Sequence, residues 1–353
     1  MKRILFVLIG VFQAVMVIPQ QKVGSPFENL PSNIEILTGF GERADISPDN
    51  KEVAFIGKTY GDAYVINLES RIIRCLTCAS PVSSYCRVMH LITGDYILIG
   101  GGVINPSNVW ESRGFNNKLW FLSKKLGSKP VYLDQKVFEG LAVSKNSLKI
   151  AYSISGIQYP DIRDENYQKF QMFVAEIKII DDSACIVNKK QILTSNHPPT
   201  QLEPQDFFDN DTRLTFSNYH TSPDGTETCD VMVYNLNDGS VLQMTHTNCH
   251  NEPEGIFPDG VYSTIECDCH AVKRGEPSGL KYGWGIDIYK LKLDGSGNNL
   301  ERLTYFNEYK GFTASNPVVS TDGRFMAFQV GHSRNYGAYT GSGNGILLYR
   351  LKK

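Results

Sequence analysis

Histidine, arginine and carboxylate side chains are the residues of this chain best able to do chemistry, and their spacing decides which chemistry. The seven histidines form no His-Glu-x-x-His zinc motif. His246 and His250 stand four apart, which shares a face only on a helix, and they fall at a strand exit. His90, His220, His270 and His332 lie in separate segments, as do Arg113, Arg163, Arg274 and Arg334. Brought together, such groups would supply metal ligands or a general base. The candidate catalytic set is therefore His90, His220, His270, His332, Arg113 and Arg334. Aromatics adjoin charged donors in the same segments. The resulting ligand-binding set is Trp110, Arg113, Arg163, Tyr219, His220, His270, Trp284, His332, Arg334 and Tyr336. It suits a sugar, a peptide or an acidic small molecule. A third set, Glu42, Glu139, Glu203, Glu252 and Glu254, offers hard oxygen ligands that could hold Ca or Mn. The alternative for these carboxylates is to cap strand ends and bind water, and the expected cofactor is none.

Several classes are excluded. No Gly-x-Ser-x-Gly elbow is present, so no appended serine hydrolase is expected. Gly341-Ser342-Gly343-Asn344-Gly345 precedes a strand and not a helix, so it is no phosphate loop. With 35 Lys+Arg against 37 Asp+Glu, the chain lacks the basic surplus that nucleic acid requires. Its 41% hydrophobic content is enough for a packed core.

Met1-Lys2-Arg3 followed by the apolar run Ile4 to Val17 has the layout of a secretory signal, and residues 1–20 are set apart on that ground. The run is too short for a comfortable membrane span of ~20 residues. All eight cysteines lie beyond it. An exported chain favours disulfides over the zinc or redox sites that Cys75-x-x-Cys78 and Cys267-x-Cys269 could otherwise suggest.

The elements that must position these groups are repeats. One landmark is a strand ending in Leu-Thr or Met-Thr, at Leu37-Thr38, Leu76-Thr77, Leu193-Thr194, Met244-Thr245 and Leu303-Thr304. A polar turn and an apolar strand follow, clearest in Ser47-Pro48-Asp49-Asn50 and Ser320-Thr321-Asp322-Gly323. A third strand comes next, as in Ala63–Leu68, Val231–Leu236 and Ile346–Leu351. Six units of four strands (A to D) mean a β-propeller. Ser47 and Ser320 are 273 residues apart, so five steps of ~55 residues exceed a compact blade. The last unit lacks strand D, and Asn33–Thr38 is an orphan strand that can complete it. The fold class is all-β: one six-bladed propeller of four-stranded antiparallel blades over residues 21–353, closed by an N-terminal strand.

Ile46-Ser47-Pro48-Asp49, Glu252-Pro253-Glu254-Gly255-Ile256-Phe257-Pro258-Asp259-Gly260 and Asn316-Pro317-Val318-Val319-Ser320 resemble the TolB-like propellers. The resemblance covers residues 33–353. It implies a propeller and leaves function open, because such scaffolds bind ligands, dock proteins or act as lyases. B–C loops are long in five units: 100–118, 155–169, 218–230, 268–285 and 331–345. They share one face with the starts of the A strands, which place Glu42, Arg43, His90, Glu139, Glu203, Glu252, Glu254 and Asn316 around the channel mouth. Long loops on a rigid scaffold usually carry function. The expected protein is secreted or periplasmic, monomeric and non-catalytic. It binds a small molecule, glycan or protein on the loop face and has no membrane span once the signal is removed. Propeller lyases acting on uronate oligosaccharides use His ligands, a metal and an Arg or His base. A metal-assisted lyase or hydrolase is the alternative.

Overall fold

A computed structural model of the chain describes residues 20–102, 104–105, 112–162, 169–195, 201–221, 225–279, 285–297, 299–332 and 345–351. Strand β1 (Ile34–Ile36) precedes the first complete blade, β2 (Glu42–Ile46), β3 (Glu52–Ile56), β4 (Ala63–Asn67) and β5 (Ile73–Cys75). Blade two is β6 (Tyr85–His90), β7 (Tyr96–Gly100), β8 (Lys118–Leu122) and β9 (Val131–Lys136). Blade three is β10 (Leu141–Val143), β11 (Lys149–Ser155), β12 (Phe170–Ile180) and β13 (Ser183–Thr194). Blade four is β14 (Gln201–Phe208), β15 (Arg213–Thr221), β16 (Glu227–Asn235) and β17 (Val241–Gln243). Blade five is β18 (Asn251–Ile256), β19 (Tyr262–Cys267), β20 (Asp287–Lys292) and β21 (Leu300–Arg302). Blade six is β22 (Phe312–Val319), β23 (Phe325–His332) and β24 (Ile346–Arg350). Its fourth strand is β1, which pairs antiparallel with β24 as Ile34↔Tyr349 and Ile36↔Leu347. The ring therefore closes across its termini as expected, and the open edge of blade six is covered.

The Leu-Thr landmark has a chemical reason. The threonine hydroxyl accepts a backbone N–H of strand C in its own blade: Ala63 to Thr77, Val231 to Thr245, Ile288 to Thr304 and Ile346 to Thr38. In three blades the same hydroxyl donates to an aspartate just before that N–H, at Asp62, Asp230 and Asp287. Strand D is thereby tied to strand C at a point the ladder leaves open. Blade three departs from the pattern: Ser195, one residue after Thr194, accepts from Phe170 N. Two register shifts in the long β12–β13 hairpin account for the offset.

The A–B turns are tight. Ser47 and Ser320 each donate to the Asp two residues on and accept two backbone N–H groups from the start of strand B. Apolar clusters fill the spaces between neighbouring blades; one joins Ile97, Ile99 and Phe121 to Ile150 and Tyr152. Two cysteine pairs are bonded, Cys75–Cys78 and Cys249–Cys269. Cys86, Cys185, Cys229 and Cys267 are in no disulfide, and all but Cys185 are buried. The general expectation of disulfides therefore holds for two pairs and not for all eight cysteines. Among the described residues no helix is long and apolar enough to cross a membrane.

Candidate functional site

The channel is built by the six inner strands. Five of them break register at one level: β2 between Glu42 and Asp45, β6 between Tyr85 and Arg87, β14 between Pro204 and Asp206, β18 between Pro253 and Ile256, and β22 between Ser315 and Val318. The sequence supplies what a bulge needs. Pro204, Pro253 and Pro317 have no N–H to offer a ladder. Arg43 and Asn316 take left-handed φ of 53° and 47°. At Gly255 a Cβ would stand 3.0 Å from Val319 N and 3.2 Å from Pro317 O. Bulges re-aim side chains, and here Arg43, Arg87, Gln205, Glu254 and Asn316 line a cavity of about 30 Å³ on the axis.

Above this waist, towards the loop face, carboxylates crowd together. Arg43 Nη2 donates to Glu139 Oε2 at 2.9 Å. Gln205 Nε2 donates to Glu252 Oε1 at 3.2 Å, and His250 Nε2 stands 3.5 Å from Glu252 Oε2. Asn316 donates its backbone N–H to Glu266 Oε1 at 2.6 Å and its Nδ2 hydrogen to Glu254 Oε1 at 3.0 Å. Glu42 accepts from the Thr59 hydroxyl. Burial, then repulsion from Glu139 and Glu252, pushes the Glu203 carboxyl well up. Burial, then Glu252, pushes Glu254 up to about 7. Burial, then Glu254, pushes Glu266 well up. The Tyr219 hydroxyl is likewise raised by burial and by Glu252. Such mutual repulsion holds protons on buried acids near neutral pH and attracts a cation. Glu252, Glu254 and Glu266 each place an oxygen within 4.8 Å of the others.

The five predicted carboxylates thus end up around this part of the channel. Sequence reasoning missed Arg87, Gln205 and Glu266. The pattern Glu203-Pro204-Gln205, repeated as Glu252-Pro253-Glu254, could have located Gln205. Glu266 carries no such signal, because it reaches the cluster from β19, a second strand.

The histidines are dispersed. His90 is the last residue of β6 and pairs with Tyr96 beside the A–B turn, so it lies at the opposite end of the channel from the loop face. Placing it at a strand start was wrong, because β6 begins at Tyr85. His90 Nδ1 lies 2.8 Å from Asp45 Oδ2, which also accepts its backbone N–H. Tyr219 and His220 sit on β15, paired with Cys229 and Thr228, and not in a loop: alternation continues through residues 218–221 and the strands simply run on. His220 Nε2 is 3.7 Å from Asp230 Oδ2. His270 belongs to a short helix α1 (Cys269–Lys273) anchored by the Cys249–Cys269 bond. Its nitrogens lie 3.1 Å from the Tyr289 hydroxyl and from Asn307 Oδ1. Burial, then Arg302 and Arg274, pushes it down to about 3, so it stays neutral. His332 ends β23 with its ring edge-on to Phe312 at 4.4 Å. Neither trio of potential metal ligands among the described residues contains a histidine. Trp110, Arg163, Trp284, Arg334, Tyr336 and the side chain of Arg113 lie outside the described residues.

Fold and site together define a six-bladed β-propeller with an acidic channel, similar in fold to TolB structures. Solved structures share this architecture at low identity. A TolB-type structure from Agrobacterium tumefaciens is 15% identical, with 76% of each chain covered and a TM-score of 0.50. A gluconolactonase of Xanthomonas campestris is 12% identical, covers 90% of this chain and 89% of its own, and has a TM-score of 0.52. An oligogalacturonate lyase of Vibrio parahaemolyticus is 12% identical over 91% and 94% of the two chains, with a TM-score of 0.46. No family model matches the sequence, and no curated protein matches it. At these identities the likeness speaks for the fold alone.

Proposed function

We propose that the protein is an exported, non-catalytic propeller that binds its ligand or protein partner at the loop-face mouth of the channel. The partner presents a cationic group to the axial carboxylates. The observation that carries this reading is the convergence of Glu139, Glu203, Glu252, Glu254 and Glu266. In Glu203, Glu254 and Glu266 burial and mutual repulsion push the carboxyl up, a strain that a neighbouring positive charge relieves. Retaining such a cluster costs stability, which selection tolerates where function uses it. Export is supported by the basic and apolar leader.

The second reading is a metal-assisted lyase or hydrolase on uronate oligosaccharides. It is favoured by one observation, the Glu252, Glu254 and Glu266 trio with its oxygens close enough to share a hard cation. One experiment separates the two. The full chain is titrated with a lysine-rich peptide, with and without chelator, and assayed for unsaturated product from oligogalacturonate with and without added Ca²⁺ or Mn²⁺. Peptide binding that survives chelation and is lost in Glu252→Gln supports the binder. Metal-dependent product formation overturns it in favour of the lyase. Neither signal overturns both.

A further inference from the structure

The far end of the channel opens on the A–B turn face into a basin of about 540 Å³. That volume lies within the range of small-molecule sites. We propose that this basin is a second binding site, for a neutral, hydroxyl-rich ligand such as one or two sugar rings. It is independent of the loop-face reading, because it lies at the opposite end of the axis.

The first support is the chemistry of the lining. Acceptors (Asp206, Asp209, Asp259), donors (Lys145, Arg213) and the side-chain amides of Asn146 and Asn210 line it together. Three carboxylates against two cations give no strong field to select an ion. Hydroxyl groups, which both donate and accept, can satisfy every one of these partners. Ile92, 38% exposed, and Pro258 offer apolar surface for the C–H face of a ring.

The second support is an unusual turn on the rim. Asp209, Asn210 and Asp211 take φ of 54°, 53° and 60°, three consecutive left-handed residues with no glycine among them. Asn and Asp enter this region more readily than other L residues, but as single residues and not in runs of three. The chain reversal does not demand it: the corresponding turns of other blades use one left-handed residue, Asn50, Gly94, Gly260 or Gly323. The strained turn is held by a neighbouring blade. Asp211 accepts from the Ser144 and Ser147 hydroxyls at 2.7 Å, and Lys149 Nζ donates to its backbone carbonyl at 3.1 Å. Asp209 and Asn210 are left on the rim as exposed residues. Strain that surrounding contacts over-determine is found where a site must be pre-organised.

The test uses the full chain and a panel of neutral saccharides: glucose, galactose, mannose, N-acetylglucosamine and their common disaccharides. Binding is read by saturation-transfer NMR and titration. Asn210→Gly keeps the left-handed backbone and removes the amide, and Lys145→Met keeps the aliphatic stem and removes the ammonium. The expected result is saturable binding of at least one sugar, weakened about tenfold by each substitution. Circular dichroism and melting confirm that each variant is folded, and if Lys145→Met is not, Asn210→Gly decides alone. No saturable sugar, or binding indifferent to both substitutions, would overturn the proposal.

Discussion

Replacing Glu254 by glutamine should make the protein more stable, by a margin that grows as pH rises from about 4.5 to about 7. Glu254 is buried, accepts from Asn316 Nδ2 and adjoins Glu266. Its carboxyl is raised from 4.5 to about 7. A folded-state value above the unfolded one means the native protein holds a proton that the unfolded chain releases. Stability is therefore lost as pH rises through that window. Between 4.5 and about 7, at ~1.4 kcal/mol per tenfold change in proton affinity, about 3 kcal/mol is lost by pH ~8. Glutamine resembles the protonated acid: it is neutral, accepts from Asn316 and can donate to Glu266. Urea unfolding of both proteins at several pH values should show equal stability near pH 4.5 and a gap opening to about 3 kcal/mol in favour of Glu254→Gln by pH ~8. Because Glu254 and Glu266 titrate as a pair, the midpoint belongs to both. A gap that does not change with pH, or a variant less stable at pH ~8, would refute the electrostatic picture of the channel.

Thr304→Val should cost about 1–3 kcal/mol in denaturant unfolding, because it orphans the Ile288 N–H and removes one donor from buried Asp287. Removing the Cys249–Cys269 bond, which closes a separation of 20 residues, should cost about 3 kcal/mol; an unchanged midpoint in Cys249→Ala would count against that. Deleting β1 should expose the edge of β24 and cause aggregation, read by light scattering. His90→Ala should leave loop-face binding unchanged within error in a titration, since His90 stands at the other end of the channel.

The ring, its six blades and its closure were legible in the sequence because each rests on local chemistry repeated many times. The Leu-Thr exits and Ser-x-Asp turns recur for the same hydrogen-bonding reason in blade after blade. The carboxylates were legible because they stand at strand starts, next to prolines that break the ladder. The histidines misled. Residue type does not place them, because strand limits decide where each one goes: β6 starts five residues before His90, and β15 extends through His220. Glu266 and Arg87 could not be found, since their role comes from bulges and cross-strand neighbours that no spacing reveals. The basin on the A–B face was equally hidden, because short turns carry no length signal and its lining comes together from several blades.

The central claim is that the loop-face mouth is an acidic site awaiting positive charge. Proton linkage tests it most directly. Calorimetric titration of the full chain with the lysine-rich peptide, near pH 6.5 in two buffers of different ionisation enthalpy, measures protons released on binding. A cation seated against Glu203, Glu254 and Glu266 should expel on the order of one proton, and Glu254→Gln should reduce that release. Binding with no proton release, or release unchanged in Glu254→Gln, would contradict the claim.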